Sequence, residues 1–539
     1  MVLHGKGVSA GLAAAKLHWV QRAPAGAEPV NVEDPEAEVA RFESARVLAV
    51  AQLGQLAERE DAGLGAENTF LFEVHQMLLE DEDYRETIEG IIRDRRLCAE
   101  YAVAEASKKF EDMFAQMDSE YMQARAADVI DISRRVMAIL TGADTRIHIG
   151  DESVILASDD FSPSETAQLD RKKVLGFVTQ GGTTNSHTAI FARTIGIPAI
   201  VGLGEQIDRR MDGNPALLLG DDGLLIVNPD ADAMAAFDRK QKDNAALKAG
   251  LVQYRGRPSV TRSGRKVKLF SNISSPADAT AALEGDAEGV GLFRSEFLYL
   301  ENCGYPSEEM QYSAYREVLQ KMAGRTVVIR TLDIGADKQA PYFQLPEEAN
   351  PAMGMRAIRI CLTRPEIFIT QLRALYRASI HGTLAIMFPM ITGVEELRRA
   401  KALAAQARQQ LEAEEIPYNE ATPLGIMIET PASAIISDVL AKEVDFFSVG
   451  TNDLIQYTLA MDRQNDSMAP FCDTHHEAVL RLIEWTAKNA RENGIWIGIC
   501  GELGGDTDLT ERFIRMGIDE FSVAPSDILR LRAHIAGIL

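Results

Sequence analysis

Hydrophobic positions in the second half of the chain recur as short apolar runs, each followed by a polar end and then by an amphipathic segment. From residue 265 onward there are eight such runs, at 267–270, 289–293, 327–330, 385–390, 425–428, 446–449, 497–499 and 521–523. Short apolar runs that alternate with helical patterns predict parallel strands joined by helical crossovers. Eight of them predict a (β/α)8 barrel of the TIM type, whose functional side chains lie at the carboxyl ends of the strands.

The first half of the chain follows two other patterns. Residues 1–22 and 143–228 contain short apolar runs separated by glycines, which favour the strands of a small α/β domain. Residues 23–142 carry apolar side chains at helical spacing and predict a helical domain inserted into it. Residues 229–260 are polar and alanine-rich, which indicates a linker helix before the barrel at 261–539. The predicted fold class is therefore a multidomain α/β protein.

Composition and charge exclude several classes of protein. The 539 residues carry a formal net charge of -24, which argues against a nucleic-acid binder because that would need a basic face. No apolar run is long enough to span a membrane. The five cysteines are scattered and never in CxxC spacing. They predict reduced thiols and a cytoplasmic protein, with neither a disulfide framework nor a zinc site.

Charged side chains lie at the predicted strand ends of the barrel. Glu429 and Asp453 end consecutive strands, where two carboxylates either share a proton or hold a hard cation such as Mg²⁺. Forked guanidinium groups and one ammonium group accompany them, at Arg294, Arg330, Arg463 and Lys338. Any one of these could instead form a local ion pair. As a set they predict a site for a compact anion with both phosphate and carboxylate, a description that phosphoenolpyruvate fits.

A second candidate site lies in the stretch Gly181-Gly-Thr-Thr-Asn-Ser-His187-Thr-Ala-Ile190. It links a predicted strand at 172–178 to a short predicted helix at 188–195, which Gly196 ends. Free backbone N–H groups at a helix N-terminus attract phosphate, so an imidazole there can accept and hold a phosphoryl group. The alternative interpretation is that His187 only caps or packs the helix.

Longer motifs now identify a family. They include Phe72-Glu-Val-His-Gln-Met-Leu-Leu-Glu-Asp81, Arg125-Ala-Ala-Asp-Val129, Ser162-Pro-Ser-Glu-Thr-Ala-Gln168, Gly289-Val-Gly-Leu-Phe-Arg-Ser-Glu-Phe297, Arg330-Thr-Leu-Asp-Ile-Gly335, Phe388-Pro-Met390, Glu429-Thr-Pro431, Gly450-Thr-Asn-Asp-Leu454 and Cys500-Gly-Glu502. With the His187 loop, these motifs make nearly the whole chain resemble enzyme I of the bacterial phosphoenolpyruvate-dependent sugar phosphotransferase system.

The resemblance implies a role for each site residue. His187 would be the phosphorylated nucleophile, acting through Nε2, and Cys500 would protonate the enolpyruvate carbon. Phosphoenolpyruvate would be bound by Arg294, Arg330, Lys338, Asn452, Asp453 and Arg463. Glu429 and Asp453 would ligate Mg²⁺. The helical insert would dock the carrier protein HPr, to whose histidine the phosphate passes, and the barrel would form a homodimer.

One departure from the family pattern and two alternative functions stay open. The family loop usually reads Gly-Gly-x-Thr-Ser-His, whereas here one more residue precedes His187 and Asn185 replaces the usual Thr. A pyruvate-phosphate dikinase or phosphoenolpyruvate synthase shares these modules, but it needs a large nucleotide-binding domain that the sequence does not indicate. A non-catalytic regulator could keep the fold, although the full set of site residues argues against it.

Overall fold

A computed structural model of the protein describes residues 1–20, 27–57, 66–115, 120–143, 147, 149–166, 169, 173–182, 186–300, 302, 304–335, 340–346, 348–462, 465, 468 and 471–539. The chain divides into two compact units, residues 1–246 and 247–539.

The first unit is built on a mixed sheet of eight strands. In chain order they are β1 Val2–His4, β2 Lys6–Ser9, β3 Leu12–Trp19, β4 Val154–Ser158, β5 Val174–Thr179, β6 Ala199–Val201, β7 Pro215–Leu219 and β8 Leu224–Val227. The order across the sheet is β1-β8-β7-β3-β4-β5-β6-β2. The β3–β6 block is parallel and the remaining pairs are antiparallel. Apolar side chains cover both of its faces, because two separate buried clusters draw on these strands.

A bundle of helices is inserted in the sequence between two strands of this sheet. Its helices are α1 Pro35–Ala57, α2 Ala66–Glu80, α3 Glu82–Arg95, α4 Ala99–Ala115 and α5 Glu120–Thr141. All of them lie between β3 and β4, which are hydrogen-bonded neighbours, so the bundle is an insertion in the α/β fold. Its core is a cluster of buried apolar side chains at helical spacing, among them Phe42, Phe72, Ile88, Ile92, Val103 and Val136.

Buried polar groups connect the bundle to the sheet region. His75 is fully buried on α2, and its Nε2 lies 3.1 Å from Asp128 Oδ1 on α5. One turn further along α5, Asp131 Oδ1 accepts a hydrogen bond of 2.7 Å from Ser164 Oγ. Ser164 belongs to α6 (Pro163–Thr166), a short helix of the α/β region. Because buried polar groups cost free energy unless they are paired, the His75–Asp128 contact holds two helices of the bundle together, and the Asp131–Ser164 contact fixes the bundle against the α/β region.

Two further helices complete the first half of the chain. α7, His187–Ile195, lies between β5 and β6. α8, Ala231–Val252, follows β8, and the boundary between the two compact units falls within it.

The second unit is a closed barrel of eight parallel strands. They are β9 Lys268–Ile273, β10 Gly289–Arg294, β11 Thr326–Arg330, β12 Thr383–Phe388, β13 Leu424–Ile428, β14 Phe446–Gly450, β15 Trp496–Cys500 and β16 Glu520–Val523. Each strand pairs with the next in the chain, and β16 closes onto β9. The predicted (β/α)8 barrel is thus confirmed, and every apolar run found in the sequence forms a strand.

Helices follow the strands around the barrel. They are α9 Asp278–Glu284, α10 Phe297–Leu300, α11 Glu308–Lys321, α12 Ile358–Thr363, α13 Pro365–Ala378, α14 Val394–Ala413, α15 Pro431–Ile435, α16 Ser437–Leu440, α17 Thr451–Leu459, α18 Glu477–Glu492, α19 Thr507–Met516 and α20 Ile528–Gly537. Their apolar faces and the outward side chains of the strands form one large buried cluster. A smaller cluster fills the barrel interior. Among the described residues, no helix is long and apolar enough to cross a membrane.

A buried arginine joins the last helix to the loops at the start of the barrel. Arg532 on α20 is 1% exposed. It forms an ion pair with Asp286 Oδ2 and donates to the Asp286 carbonyl at 2.7 Å and to Ser259 Oγ at 3.2 Å. Since removing one partner of a buried ion pair leaves the other charge uncompensated, this contact should contribute substantially to the stability of the barrel.

We therefore predict that Arg532→Met destabilises the protein by about 3 kcal/mol, because it removes the guanidinium that pairs with Asp286 and, among the described residues, leaves that carboxylate only its hydrogen bond from the backbone N–H of Gly256. Arg530→Met is the matched control on the same helix. Its guanidinium pairs with Asp527 at 3.2 Å but is 51% exposed, so its loss should change stability by less than about 1 kcal/mol. Chemical denaturation of both variants measures the difference. Equal effects would contradict the prediction.

Candidate functional site

The predicted site residues of the barrel come together at one mouth. Arg294, Arg330 and Cys500 are the last residues of β10, β11 and β15. Glu429 directly follows β13, and the pair Asn452 and Asp453 lies in the first turn of α17, directly after β14. All strands of the closed barrel run in parallel, so these positions share its carboxyl-terminal rim.

A chain of buried ion pairs crosses this rim. Arg330 donates from Nη2 to Glu296 Oε1 at 2.7 Å and lies with Nη1 3.0 Å from Asp333 Oδ2. The other oxygen of Asp333 accepts from Arg356 Nη2 at 3.0 Å. Arg356 Nη1 in turn donates to Asp453 Oδ1 at 3.1 Å. Each guanidinium thus bridges two carboxylates, and the forked geometry holds all five side chains in fixed positions.

Burial and charge compete in setting the pKa values of the two arginines. Both are less than 5% exposed. Burial by itself lowers the pKa of each guanidinium, but the surrounding carboxylates outweigh it and raise both pKa values above the ordinary range. The carboxylates with the largest influence are Glu296 and Asp333 for Arg330, and Asp333 and Asp453 for Arg356. The rim therefore holds two permanently charged guanidinium groups, each paired with carboxylates, in an environment of low dielectric.

Glu429 has the electrostatics of a cation ligand. It is fully buried, and its Oε1 accepts a hydrogen bond of 2.5 Å from the backbone N–H of Met390. Its Oε2 is buried with no hydrogen-bond partner. Burial, followed by the charges of Asp453 and Asp333, raises the pKa of Glu429 well above its ordinary value against the opposing arginines. A buried carboxylate oxygen that lacks a partner, on a group whose pKa a second carboxylate raises, fits a hard cation such as Mg²⁺.

The protein supplies few ligands for such an ion. Within the part of the chain that the structure describes, no group of three or more His, Cys, Asp or Glu side chains is arranged to hold a metal. Two carboxylates plus oxygen atoms from substrate and water form a common ligand set for Mg²⁺. The residues present therefore fit a magnesium ion that substrate helps to bind.

Cys500 lies in the barrel interior with its thiol protonated. The side chain is 2% exposed, and burial raises its pKa to about 11. Ser448 Oγ donates to the sulfur at 3.5 Å, and the thiol donates to the Val449 carbonyl at 3.3 Å. A thiol held in this way is neutral at physiological pH, which suits a proton donor rather than a nucleophile.

Asn452 is oriented by the turn that follows Cys500. Its Oδ1 accepts a hydrogen bond of 3.0 Å from the backbone N–H of Glu502. Gly501 makes this approach possible: its φ is +84°, and a Cβ there would lie only 2.8 Å from Asn452 Oδ1 and 2.3 Å from Thr451 Oγ1. The amide NH₂ of Asn452 is left as the donor end of the side chain.

The remaining predictions concern residues outside the described part of the chain. Arg463 and Lys338 belong to that group, as do Thr183 to Asn185 in the loop before His187. Of His187 the structure describes the backbone but not the side chain. The roles predicted for these residues stay predictions.

The helix that begins at His187 has a defined N-terminus. α7 starts one residue earlier than predicted, with Ser186 as its N-cap, and Ser186 Oγ accepts from the backbone N–H of Ala189 at 3.3 Å. Thr188 Oγ1 donates to Asp160 Oδ1 at 3.0 Å. As predicted, Gly196 ends the helix, with a left-handed φ of 71°. His187 thus occupies the first turn of a capped helix, where backbone N–H groups favour an anion.

Two members of the ion-pair chain escaped the sequence analysis. Arg356 lies in the loop before α12 and Glu296 lies two residues beyond β10, so neither ends a strand. A weak signal existed for the arginine, because Met355, Ala357 and Ile358 around it are apolar and such neighbours predict burial. Only the three-dimensional structure brings Arg356 to the rim.

Family comparisons cover most of the chain. Residues 4–125 match the N-terminal domain of PEP-utilising enzymes, and residues 150–223 match their mobile domain. Residues 248–539 match the PEP-binding domain of the same enzymes, which is the barrel unit described above.

Individual relatives agree with these matches. The phosphoenolpyruvate-protein phosphotransferase of Priestia megaterium is 41% identical over 99% of this chain and 93% of its own length. The protein of the same name from Bacillus subtilis (strain 168) is 41% identical over 99% of this chain and 94% of its own length. A solution structure of Enzyme I (nEIt) is 28% identical and covers 45% of this chain and 99% of its own, with a TM-score of 0.38. The chain belongs to the phosphoenolpyruvate-protein phosphotransferases of the PEP-utilising enzyme family.

Proposed function

We propose that this protein transfers the phosphoryl group of phosphoenolpyruvate to its own His187 and then to a histidine of the carrier protein HPr, releasing pyruvate. This is the first step of sugar uptake by the phosphotransferase system. The observation that carries the proposal is the chain of buried cations at the barrel rim, next to a buried carboxylate oxygen of Glu429 without a hydrogen-bond partner.

Phosphoenolpyruvate is a compact anion with a phosphate at one end and a carboxylate at the other. Arg294, Arg330 and Arg356 supply forked donors for those oxygens, and the Asn452 amide adds a neutral donor. Arg463 and Lys338 complete the proposed binding set. The pairing carboxylates fix the arginines before substrate arrives, so little side-chain entropy is lost when it binds.

Glu429 and Asp453 would hold Mg²⁺. When bound, the ion neutralises charge on the phosphoryl oxygens and so stabilises the transition state. Asp453 is held in place by Arg356, while Glu429 is held by the Met390 backbone.

The chemical step exchanges one bond of phosphorus for another. A bond forms between His187 Nε2 and phosphorus while the bond from phosphorus to the enol oxygen breaks, and its electron pair leaves with enolpyruvate. Cys500 then delivers its thiol proton to the methylene carbon to give pyruvate, and solvent returns a proton to the sulfur.

The two reacting groups belong to different compact units, since His187 lies in residues 1–246 and the rim lies in residues 247–539. We propose that the first unit moves so that His187 meets the barrel for phosphorylation and then faces the carrier. In this proposal the helical insert docks HPr, the barrel forms a homodimer, and the enzyme works in the cytoplasm. The proposed domains are those of the sequence analysis, with 229–260 as the linker.

The direct test is incubation with ³²P-labelled phosphoenolpyruvate and Mg²⁺, followed by mapping of an acid-labile phosphate. We expect label on His187, passage of that label to added HPr, and no label on the His187→Ala variant. His4→Ala, which removes an exposed histidine of the same unit, is the control and should label like the unmodified protein. Label on any other residue, or none at all, would reject the proposal.

The importance of the forked guanidinium group of Arg330 can be tested without changing the net charge. Arg330→Lys keeps a cation but cannot bridge two oxygens, so the rate of labelling should fall by roughly tenfold to a hundredfold. Arg325→Lys makes the same exchange just before the opposite end of β11, where the side chain is exposed, and should leave the rate unchanged. Single-turnover rates measure both effects. Labelling by Arg330→Lys at the unmodified rate would show that any cation at this position suffices.

The proton-donor role of Cys500 predicts a stereochemical signature. In deuterated water with phosphoenolpyruvate labelled stereospecifically at C3, the unmodified enzyme should deliver deuterium to one face and give chiral pyruvate. Cys500→Ala should release enolpyruvate, which gains its proton in solution from either face and yields racemic product. The rate at which the Cys500→Ala variant turns over phosphoenolpyruvate should fall by about a hundredfold or more. Chiral pyruvate from the variant would remove Cys500 from this role.

A further inference from the structure

The barrel has a second opening, at the amino-terminal ends of its strands and opposite the rim described above. A cavity of about 770 Å³ lies there, large enough for a small organic molecule. Its lining includes Val267, Lys268, Phe270, Leu384, Trp496 and Glu520. Trp496 is the first residue of β15 and Cys500 is the last, so about 13 Å of strand separates this cavity from the rim.

Glu520 is a buried carboxyl group without a full set of partners. The residue is 2% exposed at the start of β16, and its Oε1 is buried with no hydrogen-bond partner. Two glycines make room for it inside the barrel. A Cβ at Gly291 would lie 2.0 Å from Glu520 Oε1, and a Cβ at Gly498 would lie 2.9 Å from Oε2. The barrel interior is therefore shaped around a polar group that the protein itself does not satisfy.

The other acidic side chains of this opening, Asp519 and Glu288, already accept hydrogen bonds from the protein. Asp519 accepts from Arg265 Nη2 and from the backbone N–H of Ile497, each at 3.2 Å. Glu288 accepts from Ser259 Oγ at 2.9 Å and from the backbone N–H of Leu269 at 3.3 Å. Among the described lining residues, Glu520 is thus the carboxyl group to which the structure assigns no hydrogen-bond donor.

Aromatic rings line the cavity near this carboxyl group. Trp496 stacks on Phe446 with ring centroids 4.3 Å apart and planes 8° from parallel. The ring of Phe270 is another lining surface, and Lys268 Nζ lies 5.7 Å from its centroid. A flat apolar ligand can extend such a stack, and a cationic edge is favoured near aromatic faces.

We propose that this cavity is a binding site for a small planar organic cation, whose charged head pairs with Glu520 and whose apolar body lies against Trp496. A positively charged donor beside the Glu520 carboxyl group compensates the cost of ionising it in a buried position. The flat wall selects an aromatic or conjugated body over a flexible aliphatic one. This site is independent of the phosphoenolpyruvate residues and does not depend on the function proposed for them.

The probe for this site is benzamidinium, a planar cation with two forked donors. Calorimetric titration of the full-length protein should give saturable binding of one equivalent in the millimolar range, as is typical of so small a ligand. Glu520→Gln should weaken binding by about tenfold or more. The control variant Glu284→Gln removes an exposed carboxylate elsewhere on the barrel and should bind like the unmodified protein.

A second probe keeps the test decisive even if Glu520→Gln folds poorly. Benzamide has nearly the same shape as benzamidinium but no charge, so the unmodified protein should bind it at least about tenfold more weakly. Equal binding of the two probes, equal binding by Glu520→Gln, or no saturable binding of benzamidinium would each overturn the proposal. A circular-dichroism spectrum and a cooperative thermal transition like those of the unmodified protein report that Glu520→Gln is folded.

The pH dependence follows from the surroundings of Glu520. Burial raises its pKa to about 8, with Lys268 on β9 lowering it and Asp519, the residue just before β16, raising it. Lys266 and Glu288 are the other charged groups of the lining. Below this pKa the carboxyl group is protonated and cannot pair with a cation. Benzamidinium affinity should therefore rise as the pH increases through about 8, with release of a proton on binding, and a flat profile would contradict the assignment to Glu520.

Discussion

The structure depends on a chain of alternating charges buried at the carboxyl-terminal mouth of the barrel. Arg330 and Arg356 are each held between two carboxylates, and Asp333 is shared by both. Taking so many charges out of water is expensive, and such networks rarely add much net stability. We propose that their value is positional: the carboxylates keep the two guanidinium groups ionised and fixed before substrate binds.

The buried charged groups at the two mouths of the barrel have different surroundings. At the carboxyl-terminal mouth, nearby carboxylates offset the cost of burying the charged guanidinium groups of Arg330 and Arg356. At the amino-terminal mouth, Glu520 is buried in a cavity lined by aromatic and apolar groups, and Lys268 is the cation that lowers its pKa. Both Glu429 and Glu520 therefore have raised pKa values, with burial as the first cause. In each case the carboxyl group has a buried oxygen without a hydrogen-bond partner, and we propose an external cation as its counter-charge.

Much of this arrangement was predictable because strands and their ends leave a regular pattern in the sequence. Every barrel strand was found from its apolar run. Arg330, Glu429 and Asp453 followed from their positions at strand ends, and Cys500 followed from the family motif. Arg356 was not predictable in that way, since a loop delivers it and its two carboxylate partners come from distant segments. Glu520 was missed for the opposite reason, because a charged residue at the start of a strand usually faces solvent. The inserted bundle was visible in helical periodicity, but its buried contact from Asp131 to Ser164 was not, since residues far apart in sequence form it.

The most direct test of this account is equilibrium binding of phosphoenolpyruvate, with Mg²⁺, to Arg356→Lys. This substitution keeps the charge but cannot span Asp333 and Asp453 as the guanidinium does. If the preorganised ion-pair chain forms the substrate site, affinity should fall by about tenfold or more. Arg398→Lys on the outer face of α14, where the side chain is 60% exposed, should bind normally. Unchanged affinity in a folded Arg356→Lys protein would contradict the account, because the ion-pair chain would then serve the barrel's structure alone.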